Sequence, residues 1–353
     1  MKGYGIEVDG QNAQNVIRFL NKVQLFEKKL EFTRKGRFLV IPIKRHPTEA
    51  QCAEISRRSP QAKVVQACFT ESSRKPKNLR EAVEELLPSS VVGNLPRSYD
   101  IIGDIGIVEL DNELEPFSNI IGNALIKLNP HLRLVMKKTE KTSGKYRTRG
   151  IEPIAGRGGT ETIHREFSSK FHLDVASVYF NPRLSHERIR IAKQVMEEEV
   201  VVDMFAGVGP YSILIAKAQP MARVFSVDLN PMAYKYLKEN IFMNKVADIV
   251  TPVLGDVREF ASKLSGIADR VIMNLPSESF AFLDTAATLL KKKGGIVHYY
   301  CFASRDENLQ IISDSFRLRM GSCQRHVTSY SFQHIIREIA PNRVQVALDA
   351  IIS

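Results

Sequence analysis

The stretch VVVDMFAGVGPYS, residues 200–212, decides the fold: three consecutive valines, an acid at 203, glycines at 207 and 209, and a proline at 210 that opens the run PYSILIAKA. Successive β-branched residues favour a buried, extended chain. Glycine admits the left-handed backbone of a tight turn, and proline is preorganised for the first turn of a helix. Strand, glycine turn and helix in this order are the opening unit of a parallel sheet covered on both faces. Downstream the pattern repeats. ARVFSVDL, DIVTPVLGD, DRVIMNL and GGIVHYYCF read as strands, separated by the helical runs PMAYKYLKENIFMN and SFAFLDTAATLLKK. Residues 322–353 read as two more strands, an antiparallel pair closing the sheet. The expectation for 178–353 is a doubly wound α/β fold.

Upstream the pattern changes. Residues 1–70 alternate short apolar runs (GYGIEV, GRFLVIPI, KVVQACF) with amphipathic ones (NAQNVIRFLNKV, PTEAQCAEISRR), which predicts a small α+β module. The polar, proline-containing TESSRKPKN, 70–78, reads as a linker. A second α+β region, 78–177, opens with the helical NLREAVEELLP, continues through strands around a turn in YDIIGDIGIVEL and the amphipathic FSNIIGNALIKLN, and ends in Thr-, Arg- and Gly-rich strands joined by basic loops.

Lys and Arg exceed Asp and Glu by 50 to 39, a formal charge of +11. From 137 to 170 nine basic residues stand against four Glu, a density suited to neutralising phosphates and releasing their counterions. A polyanionic partner is expected. No apolar run reaches the length of a membrane span, the N-terminus lacks a secretory apolar core, and Cys52, Cys68, Cys301 and Cys323 are scattered without CxxC spacing. These features predict a cytoplasmic protein with reduced thiols and no membrane association. His131, His164, His172 and His186 lack any regular spacing with Cys, so no metal site is expected.

Four strand ends carry polar groups. Asp203 precedes the glycine turn, where a carboxylate repels phosphate but suits the charged amino-acid end of S-adenosylmethionine (SAM), directly or through water. Asp228, one βα unit later, can accept both ribose hydroxyls. Asp256 in LGD can take the adenine amino group, and Asn274 to Pro276 (NLP) form a stiff polar lip. A single Asp after a strand commonly caps the following helix. The ordered set of four is harder to obtain by capping, and the missing third glycine argues against a dinucleotide.

With these motifs in view, the C-terminal half resembles class I SAM-dependent methyltransferases. More narrowly, the chain resembles the archaeal and eukaryotic tRNA (guanine-N1)-methyltransferases that act on position 37. The residues that carry the likeness are YDIIGDI (99–105), TETIHRE (160–166), YFNPRLSHERIR (179–190), DMFAGVGP (203–210), DLNPMAYKYLKEN (228–240), GD (255–256) and NLP (274–276). The resemblance implies a Rossmann-like catalytic domain preceded by two smaller α+β domains, SAM as cofactor, tRNA as substrate, and an N-terminal module that contacts the outer corner of the tRNA. The chain is expected to be a monomer.

Guanine N1 is protonated at neutral pH, so methylation needs a base for that proton and a donor near the carbonyl oxygen. The resemblance implies Glu187 as the base, Arg147 as the donor, and Asn274 as the residue that holds the guanine beside the methyl donor. It implies cofactor contacts at Arg188, Asp203, Phe205, Gly207, Gly209, Asp228, Leu229, Asp256, Val257, Asn274 and Pro276. One departure is Asn181, where family members usually carry Ser before Pro-Arg-Leu; a local change alone is expected. Close archaeal relatives transfer an aminocarboxypropyl group in wyosine synthesis or methylate carbon 7 of a tricyclic base. A non-catalytic RNA-binding protein is the reading from another class, and the intact Asp228, Asp256 and Asn274 speak against it.

Overall fold

The computed structural model describes residues 1–71, 76–139 and 150–353. The linker expected at 70–78 therefore falls partly outside the described residues. The chain divides into two compact units, Met1–Pro76 and Lys77–Ser353.

The first unit holds β1 (Lys2–Asp9), α1 (Ala13–Lys22), β2 (Thr33–Lys35), β3 (Phe38–Ile43), α2 (Glu49–Arg58) and β4 (Lys63–Cys68), with an antiparallel sheet in the order β2-β3-β1-β4. Val16 and Leu20 of α1 share the core with Ile6, Val8 and Ile41 of the sheet and Ile55 of α2. Thr48 and Gln51 close a reciprocal capping box that starts α2.

The second unit begins with α3 (Leu79–Val83), α4 (Ser89–Val92), β5 (Asp100–Ile102), β6 (Ile105–Val108), α5 (Ser118–Leu128), β7 (Leu134–Lys138) and β8 (Ile151–Gly156). Its first sheet runs β5-β6-β7-β8, with β6 and β7 parallel across the α5 crossover and the other pairs antiparallel. The helix expected at NLREAVEELLP is shorter than its apolar spacing suggests. After Val83 the chain continues as turns that still bury Leu87, and stops at Pro88. A hairpin of β9 (Glu161–Glu166) and β10 (Ser169–Asp174) follows.

The rest is α6 (Ser185–Ala192), β11 (Val200–Asp203), α7 (Pro210–Ala218), β12 (Arg223–Asp228), α8 (Pro231–Met243), β13 (Val250–Leu254), α9 (Val257–Leu264), β14 (Arg270–Met273), α10 (Leu283–Leu289), β15 (Gly295–Ser304), α11 (Leu309–Ser322), β16 (Val327–Ala340) and β17 (Arg343–Ile352). They build a seven-stranded sheet in the order β13-β12-β11-β14-β15-β17-β16. The first five strands are parallel; the last two join antiparallel, with β17 inserted between β15 and β16. The α/β, Rossmann-like expectation holds, and α9 and α11 are two helices that the sequence pattern did not announce. The register of β16 against β17 shifts at four places. One face of the sheet packs against α6, α7, α8, the β9–β10 hairpin and strands β5–β7, in a continuous core. The other face is covered by α9, α10 and α11. Strand order reverses direction at β11, flanked by β12 and β14, so the crevice above their carboxyl ends is the place where such sheets bind ligands. No helix among the described residues is long and apolar enough to cross a membrane.

Candidate active site

The glycine turn is built as its residues require. Gly207 has φ +56° and Gly209, which precedes α7, has φ +88°. A Cβ on Gly209 would also stand 2.5 Å from Leu237 Cδ1. Pro210 then opens the helix.

Asp203, at the end of β11, is fully buried and accepts a hydrogen bond from Ser212 Oγ at 2.9 Å. Burial pushes its carboxyl up to about 7, with the charge of Asp228 adding and the Ser212 bond opposing. Asp228, at the end of β12, takes the Gly207 N–H on Oδ2 at 2.6 Å and the Asn230 N–H on Oδ1 at 2.8 Å. It therefore ties the glycine turn to the start of α8, and its burial also raises its carboxyl. Asp256 caps α9 by accepting the Arg258 N–H at 3.0 Å and pairs with the Arg258 guanidinium at 2.5 Å. The expectation of a helix-capping Asp is realised at this carboxylate. Leu229 is half-buried and Val257 buried beside these acids, and Phe205 meets Phe282 edge-on at 5.0 Å.

The lip after β14 is held from below. Ser279 Oγ donates to the carbonyls of Met273 and Leu275, and the Pro276 carbonyl accepts the Phe302 N–H at 3.2 Å. Asn274 Oδ1 is buried with no hydrogen-bond partner among the described residues. A buried amide oxygen left open costs free energy unless a ligand engages it.

Arg188 and Glu187 come from α6 and lie on the same side of the sheet. Arg188, 2% exposed, pairs with Glu166 of β9, donates to the Asn181 carbonyl at 2.6 Å and stacks over Phe180 at 4.8 Å, while its Nε has no partner. Burial alone would raise the Glu166 carboxyl, but His164 and Arg188 outweigh it and hold it below the usual range. Glu187 accepts a hydrogen bond from the Tyr300 hydroxyl at 2.6 Å and is gripped by Arg190 at 2.7 and 2.8 Å. The Arg188 guanidinium lies 6.0 Å from the centre of the buried Tyr211 ring, whose phenol pKa is raised, first by burial and then by the charge of Glu187. Arg147 lies outside the described residues. Asn181 accepts the Arg183 N–H at 3.1 Å and so caps the short 3₁₀ turn Pro182–Leu184, a task Ser performs as well.

Sequence reasoning assigned no role to Glu166, Arg190 and Tyr300, which bond the two α6 residues, or to Asp349 and His298, which stand behind Arg190. A usable signal was present: His298 and Asp349 are lone polar residues in the apolar runs GIVHYY and VALDAII. Of the expected histidines, His164 faces Glu166 at 3.4 Å and His172 faces Glu239 at 2.8 Å. Among the described residues no group of His, Cys, Asp or Glu is placed to hold a metal.

The donor set fits SAM and not a dinucleotide. Three carboxylates stand at successive strand ends, where a pyrophosphate would be repelled, and they match an ammonium, a diol and an exocyclic amine. Among the described residues, Arg188 Nε and Asn274 Oδ1 are a buried donor and a buried acceptor without a partner.

Known proteins share the fold. The model described as the TRM5/TYW2 methyltransferase domain matches residues 162–326, and that of the TYW2 N-terminal domain matches 79–160. The tRNA (guanine(37)-N(1))-methyltransferase Trm5b of Pyrococcus abyssi is 38% identical over 98% of this chain and 97% of its own; its crystal structure superposes with a TM-score of 0.73 over 99% of both. The structure of aTrm5 in complex with tRNALeu is 32% identical, with a TM-score of 0.70 over 99% of both chains. Pyrococcus horikoshii TYW2 in complex with MeSAdo is 30% identical, with a TM-score of 0.65 over 78% of this chain and 97% of its own. Strand ends, glycine turn and full-length likeness thus converge, and the chain belongs to the TRM5/TYW2 methyltransferase family.

Proposed function

We propose that this protein transfers the methyl group of SAM to N1 of guanosine 37 in tRNA, giving 1-methylguanosine. The observation that carries this reading is the extent of the likeness. The guanine-N1 methyltransferase of Pyrococcus abyssi matches from end to end, whereas the TYW2 chain leaves unmatched about a fifth of this one, the size of residues 1–76.

When bound, SAM supplies an electrophilic methyl group. The Asp203, Asp228 and Asp256 carboxylates hold and orient it, together with Arg188, Phe205, Gly207, Gly209, Leu229, Val257 and Pro276. Glu187 takes the N1 proton as the new N–C bond forms and the methyl–sulfur bond of SAM breaks, so that no positive charge is left on the base and S-adenosylhomocysteine departs as a neutral thioether. Arg147 donates to the guanine oxygen, where negative charge gathers as the proton leaves, and Asn274 holds the base. Residues 1–70 contact the tRNA, and 78–177 add a basic surface to which the exposed Arg157, Arg165 and Lys170 contribute. Lys137 and Lys138 are taken up by Glu115, Glu152 and Glu109 and contribute less.

The test is methyl transfer from labelled SAM to a tRNA transcript with guanosine at position 37, against one with adenosine there, followed by nucleoside mass spectrometry. 1-Methylguanosine from the first transcript alone is the expected result. Label on neither, or an aminocarboxypropyl adduct on a wyosine precursor, overturns the reading in favour of wyosine chemistry.

A further inference from the structure

Behind Glu187 stands a chain of buried and half-buried polar groups that the transfer reaction does not itself use. The Arg190 guanidinium bridges two carboxylates. It gives Nε and Nη2 to Glu187 at 2.8 and 2.7 Å, and Nη1 and Nη2 to Asp349 of β17 at 2.5 and 3.1 Å. Phe332 of β16 covers its face at 3.8 Å. Asp349 is fully buried and also accepts from Nδ1 of His298, itself fully buried on β15, at 2.7 Å.

The protons on this chain can be assigned. Arg270 Nη1 lies 2.7 Å from His298 Nε2. An arginine cannot accept a hydrogen bond, so Nε2 is the acceptor, the ring proton sits on Nδ1, and Nδ1–H donates to Asp349. His298 is therefore neutral, and burial together with the charge of Arg270 lowers its pKa. Arg270 is anchored in turn by Glu199 at 2.8 and 3.0 Å. Burial alone would raise the Asp349 carboxyl, but His298 and Arg190 hold it well below the usual range, so Asp349 carries a full negative charge.

A carboxylate that alone owned the Arg190 charge would be well oriented but a poor base, since a cation stabilises its anion. A second carboxylate on the same guanidinium divides that attraction. We propose that Asp349, seated by His298, is a positioning residue for Glu187: it holds Arg190 from behind, so that the guanidinium orients the Glu187 carboxylate and divides its charge between the two carboxylates. The proposal rests on the reading of Glu187 as the base. Among the described residues, Tyr300 on β15 also donates to Glu187, and the Glu187 charge acts on Tyr211 of α7.

The test uses the full chain carrying Asp349→Asn, in single turnovers at saturating SAM and tRNA transcript between about pH 5 and pH 9. With the Arg190 charge falling on Glu187 alone, the acid limb of the rate profile moves to lower pH by about one unit and the plateau falls roughly tenfold. The dissociation constants of SAM and tRNA stay within about twofold, since neither ligand touches Asp349. Asp349→Glu, which returns the charge, returns the limb. A limb unmoved in Asp349→Asn, or moved equally in Asp349→Glu, overturns the proposal. Should the Asn variant fail to fold, Arg190→Lys carries the test, because an ammonium cannot bridge two carboxylates with parallel bonds. A plateau reduced at unchanged substrate affinity is then expected, and an undiminished plateau overturns the proposal. Glu187→Gln separates the two readings. Native activity in that variant removes the base itself, whereas an inactive Glu187→Gln beside an unaltered Asp349→Asn removes only the role of Asp349.

Discussion

Glu166 and Arg188, on a hairpin strand and a helix 22 residues apart in sequence, form an ion pair whose side chains are 3% and 2% exposed. Burying both charges is costly, and the attraction between them offsets that cost only while both are present. Removing the carboxylate strands a guanidinium in the core. Glu166→Ala is expected to lower unfolding stability by about 3–5 kcal/mol. Urea titration of the two proteins measures it, and a loss below about 1 kcal/mol would mean that Arg188 finds water or another acceptor.

Asp203 leads to a prediction about pH. Its carboxyl is raised from 3.8 to about 7 in the folded chain. The folded state thus keeps a proton that the unfolded state has released, and the resulting stability is full below 3.8 and is lost as pH rises towards 7. Asp203→Asn, which keeps an acceptor for Ser212, should match the parent protein near pH 4 and exceed it above neutrality by a few kcal/mol, about 4 at most. Denaturation midpoints collected across that range decide the matter. Equal midpoints at every pH would show that Asp203 is ionised without penalty.

Gly209 is constrained twice, by a φ of +88° and by Leu237 Cδ1 at 2.5 Å from the Cβ it lacks. Gly209→Ala is expected to cost about 1–3 kcal/mol and to weaken SAM binding by shifting the turn. Thermal melting and calorimetric titration report the two effects separately. Gly36, also at positive φ but with open space around it, is the control: alanine there should cost only the backbone strain.

Glu187 and Asp228 should part company in kinetics. Glu187→Ala is expected to bind SAM and tRNA normally and to lose roughly 10²–10⁴-fold in single-turnover rate. Asp228→Ala should lose SAM affinity instead, since it removes the acceptor for the Gly207 N–H of the glycine turn and the Asn230 N–H at the start of α8, as well as the proposed ligand for the ribose. Unchanged affinity by calorimetry would move the ribose site elsewhere.

What was legible in the sequence is what local chemistry dictates. Glycines at 207 and 209 and proline at 210 constrain their own backbone, so the turn over Asp203 and the start of α7 could be read directly. The strand ends at Asp228, Asp256 and Asn274 followed from one βα unit to the next. Arg190 and Asp349 were not legible as partners. They are 159 residues apart and meet only because β17 enters the sheet between β15 and β16, which no periodicity announces. In α11 the serines and paired isoleucines favour helix weakly, and only Ser313, Phe316 and Met320 are buried, so its apolar stripe is faint in the sequence. Asp256 was legible as an acid at a strand end, but its bond to Arg258 depends on a side-chain rotamer that the sequence does not carry.

The uneven course of β16 has a bearing on how copies of this protein behave when crowded together. A long, flat outer strand offers its unpaired amides and carbonyls to any similar strand that drifts past, and stacking of that kind seeds insoluble fibres. Here the outermost strand departs from even spacing four times over its 14 residues, and the strand at the opposite border, β13, carries Pro252, which has no amide hydrogen to offer. Neither border presents a regular template, so the sheet resists growing from one molecule into the next.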